Sequence, residues 1–159
     1  MPKYLVVVES PTKARTIGRI VGNKYTAIAS LGHVRDLPVS RLGVSVTDRF
    51  TPEYIVSLDK RQVVAEVKKL AQEASIVYLA TDPDREGEAI SWHLKEAAGW
   101  KNIPVRRVVF HQITPEAIKE AFENDRDIDM NLVNAQQARR VLDRLVGYQL
   151  SPLLWRKVQ

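Results

Sequence analysis

"YLVVVESPTKARTIGRIVG", Tyr4 to Gly22, is the stretch on which the fold turns. Tyr4–Glu9 is a continuous apolar, largely β-branched run, the mark of a strand buried on both faces. Ser10 then offers a cap, Pro11 a first helical position and Gly22 a stop, so a helix follows at once. The alternation recurs down the chain. Lys24–Ser30 reads as a second strand. A Gly- and Pro-punctuated segment follows, read as a long loop with a short strand near Tyr54–Val56. Lys60–Glu73 reads as a helix with Val63, Val64, Val67 and Leu70 on one side. Ser75–Thr81 is a strand, Arg85–Ala98 a helix, Val105–Phe110 a strand and Thr114–Glu123 a helix. Strands alternating with helices predict an α/β fold, a parallel sheet with helices on both faces.

The charged run "ENDRDIDM", Glu123–Met130, breaks the alternation and reads as a linker at 124–130. One long helix follows, about Asn131–Gln149, ended by Ser151-Pro152 and accompanied by no strand. The expected organisation is therefore a first domain over 1–123 and the truncated start of a helical domain over 131–159. On a helical wheel Ala135, Ala138, Leu142 and Leu145 share one side as a core stripe. Gln136, Arg140, Arg144 and Tyr148 recur every four residues on the other side. Arg139 and Asp143 are spaced to pair. This spacing by itself is that of a solvated charged face with a local ion pair.

The 159 residues suffice for one domain or little more, and 45% hydrophobic with 27% charged residues is ordinary for a globular fold. There is no cysteine, which excludes a disulfide framework and a thiolate metal site. No apolar run is long enough to span a bilayer and no signal-peptide pattern opens the chain, so it reads as cytoplasmic with no membrane partner. A net charge of +5 favours a polyanionic partner such as nucleic acid.

Against that basic background, "TDPDREGE" gathers Asp82, Asp84, Glu86 and Glu88 at one point. In open parallel sheets ligands bind at the carboxyl ends of strands. The first strand ends in Glu9 and the third in Asp82, so neighbouring strands would bring these two to one rim. Asp82 and Asp84 point the same way in an extended loop, and Glu86 returns toward them from the first helical turn. Four oxygen donors around one point suit Mg²⁺. Asp84 and Glu86 alone could equally be partners of the helix dipole, and Glu88 is expected in solvent. The dipole does not account for Asp82 and Glu9 both ending strands, because packed like charges are costly without a cation. Lys13, one turn from Glu9, sits where the dipole disfavours a cation, but an ammonium at a helix N-terminus makes a phosphate site. His93 falls on a stripe with Ala89, Ile90 and Ala97 and is read as a packed core histidine. His111 ends a strand at the rim, where DNA contact and a backbone bond are both open.

Together "VVVESPTKARTI", "SLGHVRDLP", "LATDPDREGEAISWHL" and "ARRVLDRLVGYQLSPLLW" resemble the N-terminal part of the type IA bacterial DNA topoisomerase I family. The first motif separates this family from topoisomerase III. The resemblance covers essentially the whole chain. It implies a Toprim domain, a Rossmann-like α/β module, followed by the start of a helical DNA-binding domain. It implies Glu9 in acid–base work at the leaving oxygen and Lys13 at the scissile phosphate. It implies Mg²⁺ held by Asp82, Asp84 and Glu86 with Glu9 close by, and DNA touched by His33. It also reverses the reading of the last helix, where Arg139, Arg140, Arg144, Asp143, Tyr148 and Trp155 become contacts to single-stranded or underwound DNA. The full enzyme, cytoplasmic and nucleoid-associated, would cut one strand through a 5′-phosphotyrosine, pass the other and reseal. "FHQIT", Phe110–Thr114, departs from the family's usual glutamate at Gln112. None of Tyr4, Tyr25, Tyr54, Tyr78 or Tyr148 matches the nucleophile motif, so the chain is expected to be a fragment that needs the remaining domains of its polypeptide. A self-contained Toprim nuclease using metal-activated water, or a binding module without catalysis, are the competing readings.

Overall fold

The computed structural model describes residues 3–157; Met1, Pro2, Val158 and Gln159, the outer ends of the two expected segments, lie outside the described residues. In chain order the elements are β1 (Lys3–Val8), α1 (Pro11–Val21), β2 (Tyr25–Ala29), β3 (Arg35–Asp36), β4 (Val44–Ser45), β5 (Thr51–Pro52) and β6 (Ile55–Val56). A 3-10 turn at Leu58–Lys60 leads into α2 (Arg61–Gln72), then β7 (Ala74–Leu79), α3 (Arg85–Ala98), β8 (Val105–Arg107), α4 (Pro115–Glu123), α5 (Met130–Gln149) and α6 (Ser151–Lys157). The expected strand near Tyr54–Val56 is β6. The rest of that loop holds three more two-residue strands, pairing β3 with β6 and β4 with β5.

β2, β1, β7 and β8 lie side by side in that order, all parallel. Because successive side chains of a strand face opposite ways, β1 and β7 supply two cores. Leu5, Val7, Val77 and Leu79 pack on Val64, Val67 and Ala71 of α2 and Leu94 and Ala98 of α3. Val6, Val8, Tyr78 and Ala80 pack on Ile17 of α1 and Ile118 and Ala121 of α4. Each fully buried aliphatic side chain contributes about 1.5–3 kcal/mol, so this sandwich is what fixes the sheet. The fold is thus the expected α/β sheet with helices on both faces, followed by helices.

The helix starts follow their sequence signals. Ser10 and Thr114 accept bonds from the Lys13 and Ala117 amides, and Pro11 and Pro115 occupy the first turns. The chain leaves β1 toward β2 on one side and later returns to β7 on the other. The crevice above the carboxyl ends of β1 and β7 is therefore the switch point where such sheets bind ligands.

Of two expectations for the C-terminal part, one holds with an addition and one is overturned. Ser151-Pro152 does end α5, but it also opens α6, with the proline in the first turn where its missing amide is harmless. The apolar stripe of α5 is not its core face. Val133 and Gln136 are its buried residues, while Ala135 and Ala138 are exposed and Leu142 is 60% exposed. The polar stripe turns inward because its groups find partners there. Arg140 Nε and Nη2 donate to Asp36 at 3.0 Å each, and Arg144 Nη1 donates to the carbonyls of Pro38 and Arg41 at 2.6 and 3.0 Å.

The segment 125–129 is pinned at several points. Arg106 bonds Asp125 and Asp127, and the backbones of Arg107 and Arg126 exchange two hydrogen bonds.

Candidate functional site

β1 and β7 pair with Val7 opposite Leu79, so Glu9 and Asp82 do emerge side by side at the rim. Lys13, held on the first turn of α1, donates to both carboxylates and bridges them. Asp82 is pressed close to α3 by Gly87, where a Cβ would lie 1.9 Å from the Asp82 carbonyl oxygen. Only glycine permits that approach.

Asp84 and Glu86 are placed differently from Asp82. Asp84 caps α3, its Oδ1 accepting the Gly87 amide at 2.8 Å. Glu86 turns to His33, whose Nε2 is 3.2 Å from the carboxylate. Among the described residues no three acidic or histidine side chains converge closely enough to hold an ion as they stand. The donor chemistry nonetheless suits a hard cation. All four side chains offer oxygen, and Glu9 Oε2 is buried with no partner among the described residues.

The two rim carboxyls are driven apart in acidity. Burial, then the contact with Asp82, raises Glu9 despite Lys13. The contact with Glu9, then Lys13, keeps Asp82 below the ordinary carboxylate range. Burial works against the charge of Lys13, but Asp82 and Glu9 outweigh it and raise the ammonium. The rim thus holds one carboxyl suited to carrying a proton, one that stays ionised and a firmly charged ammonium.

Beside the rim opens a cavity of about 240 Å³ between the sheet body and α5. Its lining includes His33, Glu86, Arg139, Arg140, Asp143 and Gln136. The expected pair between Arg139 and Asp143 is absent among the described residues; both side chains face this cavity instead. Of the further candidates, Tyr148 donates to the Val39 carbonyl at 3.4 Å and stacks under Arg144, whose guanidinium carbon is 5.5 Å from the ring. Trp155, on α6, is 74% exposed and away from the cavity lining.

Residues that sequence reasoning did not single out complete the cavity. Arg35 Nε donates to His93 Nδ1 at 3.1 Å, with its guanidinium over the Trp92 and Tyr54 rings. His93 is the packed histidine expected, 2% exposed, and burial with Arg35 beside it lowers it to about 3. His111 is exposed.

Glu88 is the clear correction. It is fully buried rather than solvated, because Arg107 and Arg126 both bind its carboxylate. Burial raises this carboxyl, but Arg126 and Arg107 outweigh it and hold it ionised. The available signal was Arg107 itself, a cation inside a buried strand, which demands an acidic partner.

The Toprim domain family matches residues 4–113. The chain is also similar to the structure of full-length topoisomerase I from Thermotoga maritima. The two are 51% identical with a TM-score of 0.86 over 96% of this chain and 26% of that one. The chain therefore spans about a quarter of the length of that relative.

Proposed function

From the premise that this chain belongs to the Toprim family, we propose that it is the Toprim portion of a type IA DNA topoisomerase, binding Mg²⁺ and single-stranded or underwound DNA. We place the Toprim unit at 1–123, the connection at 124–130 and the start of a helical DNA-binding domain at 131–159. The observation that carries the reading is continuity. One cavity is lined by Glu86 and His33 from the acidic rim and by Arg139, Arg140 and Asp143 from α5. A strand laid along it would meet the guanidinium groups of Arg139 and Arg140 and the imidazole of His33.

In this reading Lys13 grips the scissile phosphate, releasing the two carboxylates it now bridges. Glu9, made a weaker acid by burial and by Asp82, carries the proton that the leaving oxygen takes on cleavage. Asp82, Asp84 and Glu86, with the unpartnered oxygen of Glu9, hold the cation, which supplies charge neutralisation at the phosphate when bound. The inward-facing Arg140 and Arg144 orient the cavity wall, and Arg139, Tyr148 and Trp155 extend the DNA contact.

No tyrosine of this chain suits the nucleophile. Tyr54 is raised to about 12 by burial and Asp36, Tyr4, Tyr25 and Tyr78 pack against one another, and Tyr148 donates its hydroxyl to the Val39 carbonyl. The attacking tyrosine is thus assigned to other domains of a longer polypeptide. The apolar side of α5, where exposed Leu142 and half-buried Val141 and Leu145 line one shallow cavity with Phe50 of the turn between β4 and β5, offers those domains a seat.

Incubation with a labelled single-stranded oligonucleotide and Mg²⁺ tests the proposal. Binding without cutting is the expected result. Clean cutting that disappears in Asp82→Ala would replace it with a self-contained nuclease. Millimolar Mg²⁺ is expected to raise the melting temperature, since a ligand of the native state must stabilise it.

A further inference from the structure

Glu88 belongs to neither the rim carboxylates nor the DNA face, yet it is tied to both. Its Oε1 accepts from Arg107 Nε at 2.9 Å and from Arg126 Nη2. Its Oε2 accepts the Asp129 amide at 3.0 Å and Arg126 Nη1 at 3.4 Å. Asp129 is the N-cap of α5. Arg107, also fully buried, gives its remaining donors to the end of β7, the loop beyond it and the residue just past β8. Nη1 reaches the carbonyls of Leu79, Thr81 and Val108 at 3.0, 2.8 and 3.0 Å, and Nη2 reaches the Asp82 carbonyl at 2.5 Å.

We infer that Glu88 is a positioning residue, which fixes the backbone of Asp82 through Arg107 and the start of α5 through Arg126 and the Asp129 amide. A mere structural ion pair would not need to bind four carbonyls on one side and a helix cap on the other. Removing one partner from a buried charged network leaves the others without compensation, so the network moves as a unit. The acidic rim and the cationic helix then share one internal reference. A displacement of α5 by DNA is felt at Asp82, and closure of the rim on a cation is felt at α5. The functional meaning rests on the metal and DNA reading above; the mechanical coupling stands without it.

The test uses the 159-residue chain in metal-free buffer and reads backbone amide resonances. Arg126→Gln acts at the partly exposed end of the network and leaves the core intact. It is expected to shift Asp82 and Asp84 as well as Asp129–Val133, while Ile28 and Val67 stay in place. Arg126→Lys, which keeps the charge, is expected to bring Asp82 part of the way back to its wild-type resonance. A perturbation confined to 125–133 would overturn the coupling, and so would a uniform loss of protection without a focus at Asp82. In Glu88→Gln the Mg²⁺ titration midpoint is expected to rise about tenfold, the usual cost of losing a support behind a metal ligand. An unchanged midpoint beside a clear wild-type response overturns the positioning role. Absence of any wild-type response to Mg²⁺ instead overturns the metal reading, and the metal-free resonances still decide the coupling.

Discussion

Single residues decide where charge can sit in this molecule. His93 is buried between Arg35, His33 and Tyr54 and lowered to about 3 from an ordinary 6.5. Between those values the unfolded chain binds a proton that the folded chain refuses. Stability from His93 is therefore fully present above pH 6.5 and drains away as pH falls toward 3, at up to about 1.4 kcal/mol per pH unit. Urea titrations at several pH values, compared with His93→Gln, should reveal that slope in the wild type and its loss in the variant. Gly87 carries a different constraint. A methyl group there meets the Asp82 carbonyl, so α3 or the rim must shift. Gly87→Ala is expected to cost about 3 kcal/mol by overpacking and to weaken any Mg²⁺ response, both readable in one thermal series. Much at this scale was legible in the sequence. Glu9 and Asp82 could be placed together because strand ends in a parallel sheet share a rim. For Glu88 the sequence carries only half the signal: Arg107 in a buried strand demands an acidic partner, but which carboxylate meets it depends on Arg107 and Arg126 arriving from distant parts of the chain.

At the scale of elements, the β-strands and their helices follow from local pattern, since each is buried by its immediate neighbours in the alternation. α5 does not. Its wheel has two plausible inner faces, one apolar and one polar, and periodicity favours the apolar one. What reverses the choice is tertiary. Asp36 and the carbonyls of Pro38 and Arg41 lie where Arg140 and Arg144 can meet them, and Gln136 fills the space below. The orientation makes two opposite expectations for side chains on one helix. Leu142→Lys should leave the stability of this chain within about 0.5 kcal/mol of wild type, as for any exposed site. Arg140→Ala should lose about 1 kcal/mol, the worth of a charged two-point bond discounted for its partial exposure. Equilibrium denaturation of the two variants distinguishes the faces. The reverse order would mean that α5 packs through its leucines.

For the whole molecule the question is whether the sheet body and α5 unfold separately. Sequence composition argues for separation, because "ENDRDID" is charged, short of apolar residues and resembles a linker. The structure supplies the opposing forces. Arg106 grips Asp125 and Asp127, Arg126 and Arg107 share backbone bonds, and Glu88 receives the Asp129 amide in the interior. Val133 is fully buried one turn into α5, and Ile128 packs on the core beneath α2 and α3. Cleavage of a backbone held in this way requires opening of the core itself, whereas an exposed turn opens at little cost. Trypsin therefore ranks the bonds by local stability. Arg49, in the exposed turn between β4 and β5 with φ 51°, and Arg156 and Lys157 near the end of α6 should be cut first. Arg106 and Arg126 should resist until the chain unfolds as a whole, and near-ultraviolet signals from the buried Trp100 should be lost in the same transition as helical signal. Early cutting after Arg126, with a stable fragment ending there, would mean that the charged segment behaves as the linker its composition suggests and that α5 is held only by its contacts along the cavity.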